Sequence, residues 1–163
     1  MTENVQNQDQ KDLENKARKK LKDGWIRCSM FIDVLALNET DAKEVLIEHI
    51  EKMKKEHKTV IYGTHYKSVA MIENPLHGVK EGYSAVVQIW LVVQDLDKLV
   101  TLAMNYGPTN IEIMEPKTLT VPAGEAQIIV NSVADIVQLF ARHNKGGIPL
   151  TRKKAAQVKE ETL

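Results

Sequence analysis

The run Tyr83–Gln94, YSAVVQIWLVVQ, constrains the fold more than any other stretch of the chain. Seven of its residues are β-branched or aromatic, the composition that suits a pleated, packed surface. Successive side chains of a strand point to opposite faces. Ala85, Val87, Ile89, Leu91 and Val93 therefore share one side, and Val86, Trp90 and Val92 share the other with Gln88. A strand apolar on both sides belongs inside a sheet that is covered on both faces.

The segments around this strand repeat one pattern. Trp25–Leu37 reads as a first strand, followed by Asn38 and Thr40 as caps for a helix beginning near Asp41. That helix carries Ala42, Val45, Leu46, Ile50 and Met53 at helical spacing, with charged residues on its other side. Thr59–Ile72 reads as one long second strand. A turn-rich segment, Asn74–Gly82, returns the chain to the strand at Tyr83. Asp95 caps a short helix with Leu96, Leu99, Val100, Leu102 and Ala103, and Gly107-Pro108 stops it. Ile111, Ile113 and Leu119 mark a last strand region, broken by Pro116. Pro122 then opens a helix with Ala126, Ile129, Val130, Val133, Ile136, Val137 and Phe140 along one side, ended by Gly146-Gly147.

Two strand-helix-strand units within one short chain specify an α+β fold. The expected form is a ferredoxin-like βαββαβ sandwich: a four-stranded antiparallel sheet, an added C-terminal helix and an N-terminal helix. Right-handed crossovers place both middle helices on one sheet face. On the first strand Ile26, Cys28, Met30, Ile32 and Val34 should face them, leaving Trp25, Arg27, Phe31, Asp33 and Leu35 opposite. The helix-free face then gathers Trp25, Phe31, Val86, Trp90, Val92 and, at its edge, Met114. That much apolar surface marks an interface, covered by the C-terminal helix, by a second subunit, or by both.

Charge divides the chain into three parts. The 163 residues balance 22 basic against 22 acidic side chains, yet residues 1–23 carry +1, 24–147 carry −3 and 148–163 carry +2. The expected organisation is a polar, partly helical extension over 1–23, one domain over 24–147 and a flexible charged tail over 148–163. An acidic body disfavours nucleic acid bound across it, because such binding depends on neutralising phosphates. A nucleic-acid site would instead use the basic ends, Arg18, Lys19 and Lys20 with Arg152, Lys153 and Lys154. No apolar run approaches the roughly 20 residues of a membrane span, and the polar start is unlike a secretory signal. A cytoplasmic protein is expected.

Motifs for chemistry are sparse. One cysteine, Cys28, allows no internal disulfide and no multi-thiolate zinc site, and its place beside Met30 and Ile32 reads as core. His49, His57, His65, His77 and His143 show none of the close spacings that put two imidazoles on one metal. His65, Glu73 and His77 converge only if the hairpin folds back. Asp33 interrupts an apolar strand and needs either solvent or a partner. Glycine-rich phosphate loops and nucleophile elbows are lacking. The expectation is no catalytic residue, no metal and no cofactor.

Three resemblances bear on this layout. RNA-recognition modules share it, and Met30–Leu35 partly echoes their first-strand signature. At Glu81–Gln88 the glycine and first aromatic are present, but Ala85 and Gln88 stand where two later rings would stack. The run Asn105-Tyr106-Gly107-Pro108-Thr109-Asn110-Ile111-Glu112-Ile113-Met114-Glu115-Pro116, followed by a helix, resembles a segment of small uncharacterised archaeal proteins. That resemblance implies a ferredoxin-like core with an added C-terminal helix and carries no reaction. ACT-type regulatory domains are similar in element order and bind small effectors near the first strand-helix loop, often with glycine there. Here that loop is Ala36-Leu37-Asn38-Glu39-Thr40.

The resulting expectation is a non-enzymatic, oligomerising adaptor or regulator, a dimer in its favoured form, that binds a macromolecular partner. The alternatives are a nucleic-acid-associated protein acting through its basic ends, a small-ligand-binding regulatory domain, and last an enzyme using Asp33 or the His65–Glu73–His77 group.

Overall fold

The computed structural model describes residues 2–143. Their order is α1 (Thr2–Lys22), β1 (Ile26–Ala36), α2 (Glu39–Met53), β2 (Thr59–Tyr66), β3 (Ala70–Leu76), β4 (Val79–Val93), α3 (Leu96–Tyr106), β5 (Asn110–Glu115) and α4 (Ala123–His143). The chain divides into two units, Met1–Pro122 and Ala123–Leu163. The first holds the sheet with α1 to α3; of the second, α4 is described.

Strand β4 pairs antiparallel with β1 along its length, from Ile26 opposite Val93 to Ala36 opposite Tyr83. The sheet order is β2-β4-β1-β5, with β3 also on β4, which is the ferredoxin-like arrangement. The alternation read from the sequence sets the core. Ile26, Cys28, Met30 and Ile32 of β1 and Ala85, Val87, Ile89, Leu91 and Val93 of β4 are buried with Ala42, Leu46, Ile50 and Met53 of α2 and Leu99 and Leu102 of α3. Each large side chain so buried contributes about 1.5–3 kcal/mol.

The single long strand expected over Thr59–Ile72 is instead two strands on the same edge of β4. A bulge displaces the register between Ile61 and Gly63, and regular pairing lapses after Tyr66. The Lys67 N–H still donates to the Val86 carbonyl at 2.8 Å, so the edge continues into β3. The hairpin is also tighter than the expected Asn74–Gly82 turn. Leu76 pairs with Val79, and Gly78 takes φ 84°, a left-handed value that glycine adopts without a Cβ clash. Backbone pairing alone carries the strand through exposed Lys80 and Glu81, where side-chain pattern gives no strand signal.

Capping follows the sequence closely. The Asn38 side chain accepts from the Asp41 N–H at 2.8 Å, and Asp95 accepts from the Lys98 N–H at 2.8 Å. Gly107 closes α3 in the left-handed region, with its N–H donating to the Ala103 carbonyl at 3.1 Å. Between the helices Glu56 accepts from Lys98 Nζ at 2.7 Å and from the Tyr106 hydroxyl at 2.8 Å. His49 Nε2 lies 3.1 Å from the Tyr106 carbonyl. Among the described residues no helix is long and apolar enough to cross a membrane.

The N-terminal helix, Thr2–Lys22, takes up nearly all of the extension expected to be only partly helical over 1–23. Of its thin stripe Leu13, Ala17 and Leu21, the last two pack on the sheet face opposite α2 and α3, while Leu13 stays exposed. Ala17 is buried against Val60 and Val92, with Leu21, Trp25 and Tyr62 around them. A methyl side chain in the middle of the stripe lets the helix backbone approach the strands closely. The cover found over this end of the face is therefore α1.

Candidate functional site: the helix-poor sheet face

The face opposite α2 and α3 is built from alternate residues of β1 and β4. The register sets Arg27 opposite Val92, Ser29 opposite Trp90, Phe31 opposite Gln88 and Asp33 opposite Val86. On β5, Glu112 stands opposite Ser29 and Glu115 opposite Arg27, with the register shifting between Arg27 and Cys28. Helix α1 lies over β2 and the near part of β4. Within this unit no other helix covers the β1–β5 side.

Six interface residues read from the sequence occupy this face in three different ways. Val92 is fully buried beneath α1, so another molecule reaches it only if α1 leaves. Trp25 is half-buried at the same end, with Lys20 Nζ 4.7 Å from its ring centroid. Phe31, Val86 and Trp90 are half-buried in the middle of the face. Met114 is 42% exposed at the β5 edge.

Polar groups frame these apolar ones. Arg27 Nη1 donates to Glu115 at 3.1 Å, and its guanidinium lies 6.0 Å from the Tyr62 ring centroid. Its Nε is buried without an acceptor among the described residues. Lys67 Nζ sits 4.8 Å from the Phe31 centroid. Such cation–ring contacts contribute about 0.5–1 kcal/mol at exposed sites. Ser84 donates to Asp33 at 2.6 Å, which supplies the partner that an acid within an apolar strand requires. Thr109 ties the start of β5 to β1: its N–H and its hydroxyl both donate to the Phe31 carbonyl, at 2.8 and 3.2 Å.

The remaining reactive side chains lie apart. Cys28 is buried in the core, and burial pushes its thiol up to about 12, so at neutral pH it is a protonated hydrophobe. Among the described residues no three His, Cys, Asp or Glu side chains gather as a metal site; His65, Glu73 and His77 are not brought together. In the loop where ACT-type domains bind effectors, Asn38 is committed to Asp41 through both its amide oxygen and its amide nitrogen. Of the basic residues, Arg18, Lys19 and Lys20 lie on the last turns of α1, and Lys20 also reaches Asp23 at 3.9 Å. Arg152, Lys153 and Lys154 lie outside the described residues, as does the expected tail over 148–163.

Sequence reading missed the part played by Tyr62, Arg27 and Lys67. Gly63 was the available signal, since a glycine inside a strand pattern often marks a bulge, and the bulge sets this one opposite Trp90, next to Tyr62. On α4, Ile128, Val130, Val133, Val137, Leu139 and Phe140 are exposed.

Comparison with known proteins adds one relationship. No curated protein and no solved structure matches the chain. A family model, that of the MJ0538 family, matches residues 27–161, which spans all but the first residue of the sheet, α2 to α4 and most of the C-terminal segment. The α+β layout, the antiparallel sheet and the extent of that match together place this chain in the MJ0538 family.

Proposed function

We propose that this protein is a non-enzymatic association module that self-associates, as a dimer in its simplest form, and holds a macromolecular partner in an adaptor or regulatory role. The observation that carries this reading is the β1–β5 side of the sheet, which no helix of the first unit covers and where Phe31, Val86 and Trp90 are half-buried and Met114 is 42% exposed. Apolar side chains at the centre with Arg27, Lys67, Asp33 and Glu115 around them match the core-and-rim organisation of protein interfaces. Both signs of charge occur in that rim, so a second copy finds opposite charges there. A net formal charge of zero also removes the long-range repulsion that keeps copies of a chain apart. The same mixture suits a polyanion poorly, and nucleic acid remains the lesser alternative, confined to the basic ends.

Sedimentation equilibrium of the full chain tests this reading. A mass above the 18.4 kDa of one chain is expected, falling to one chain when Val86→Lys places a charge on the face. A single-chain mass for the wild type at tens of micromolar would remove self-association from the account.

A further inference from the structure

Beside α1 the same sheet face opens into a groove of about 420 Å³, within the range of small-ligand pockets. We propose that this groove binds a planar aromatic or heteroaromatic ring that carries a cationic amine or amidine. The groove lies on the α1 side of the face and shares only Trp90 with the association surface proposed above.

The groove owes its existence to Gly63. A Cβ at this position would lie 3.0 Å from Trp90 Cε3, so glycine leaves the indole open where any other residue would press on it. Tyr62 and Thr64 flank that glycine, and Trp90 supplies an aromatic wall. On the opposite side Gln10 Nε2 donates to the Tyr62 carbonyl at 2.5 Å, which fixes α1 over β2 and holds Glu14 at the rim.

Charge selects the ligand class. Glu14 is the one carboxylate of the lining, His65 is its one imidazole, and neither lysine nor arginine contributes. Arg27 is engaged with Glu115 and the Tyr62 ring and stays outside the lining. A carboxylate next to an indole face attracts a cation twice, by ion pairing and through the ring quadrupole. An anion finds no matching charge here. A flat ring stacks on Trp90, and its amine or amidine hydrogens donate to Glu14.

The test uses two probes of equal shape and opposite charge, benzamidinium and benzoate. The full chain has two tryptophans, so Trp25→Phe leaves Trp90 as the only indole reporter. Benzamidinium is expected to quench its emission saturably, whereas benzoate at the same concentrations has no effect. Glu14→Gln, on the rim of the groove, is expected to weaken benzamidinium about tenfold, the loss of one charge-assisted contact, with an unchanged circular dichroism spectrum. Gly63→Ala is expected to abolish the quenching; should that variant unfold, Glu14→Gln decides alone. Equal quenching by the two probes, no saturable quenching by benzamidinium, or an unaltered affinity in Glu14→Gln would each overturn the proposal.

Discussion

Glu56 shows how one side chain couples two elements. Hydrogen bonds from Lys98 and then Tyr106 hold its carboxyl below the usual carboxylate value of 4.5. A lowered folded-state value means that the unfolded chain takes up the proton first. The contribution is therefore complete above about pH 4.5 and is lost as the pH falls through the lower folded-state value. Tyr106 works in the opposite sense. Burial, and next the Glu56 hydrogen bond, push its hydroxyl up to about 12, so its contribution is complete below the ordinary value of 10 and fades as the pH rises toward 12. Glu56→Gln is expected to flatten the acid limb of a melting-temperature profile against pH; an acid limb identical to that of the wild type would show that the Lys98 contact contributes nothing. At the cap, Asn38→Ala is expected to cost about 1 kcal/mol in a denaturant titration, because the Asp41 N–H then loses its acceptor.

Among the elements, α1 and β4 stand at opposite ends of a scale of dependence. Strand β4 pairs with β1, β2 and β3 and fills the core with five side chains on one face. Ile89→Ala removes buried volume at its centre and is expected to cost about 2–5 kcal/mol. Helix α1 meets the sheet chiefly through Ala17, with Leu21 beside it. Ala17→Asp buries a charge against Val60 and Val92, and the helix lifts off more cheaply than the sheet unfolds. Hydrogen exchange is expected to show α1 amides losing protection while β1 and β4 amides keep theirs. Loss of protection throughout the sheet would mean that α1 is integral to the fold.

For the whole molecule, the alternation of Ile26 to Val34 and of Ala85 to Val93 was enough to assign both sheet faces and the ferredoxin-like order, because burial on one face fixes the register. The caps at Asn38, Asp95 and Gly107 were legible for a similar reason, each residue type meeting a local backbone need. The division of Thr59–Ile72 was not legible, since a bulge is set by pairing with a distant strand. Nor was the role of α1, whose stripe of Leu13, Ala17 and Leu21 looks too thin to pack until its small central residue is seen against β2. The alternation of β1 and β4 gathers the residues of the apolar face, but it does not separate the end covered by α1 from the β1–β5 side. That separation moves the weight of the association proposal from Val92 to Phe31, Val86 and Met114. A chain of zero net charge with an acidic body and basic clusters at its ends is also expected to bind mixed-sequence RNA negligibly across a salt series. Strong binding that falls steeply with salt would favour the nucleic-acid alternative.

Two methionines make the central claim directly measurable. Met104 on α3 and Met114 on the β1–β5 side of the sheet are equally exposed in the single chain, at 42% each. Oxidation by dilute peroxide, followed by mass spectrometry, reports their accessibility in solution. If copies of the chain meet through the β1–β5 side, Met114 is oxidised more slowly than Met104 at high protein concentration, and the two rates converge on dilution. Equal rates at every concentration would contradict the account.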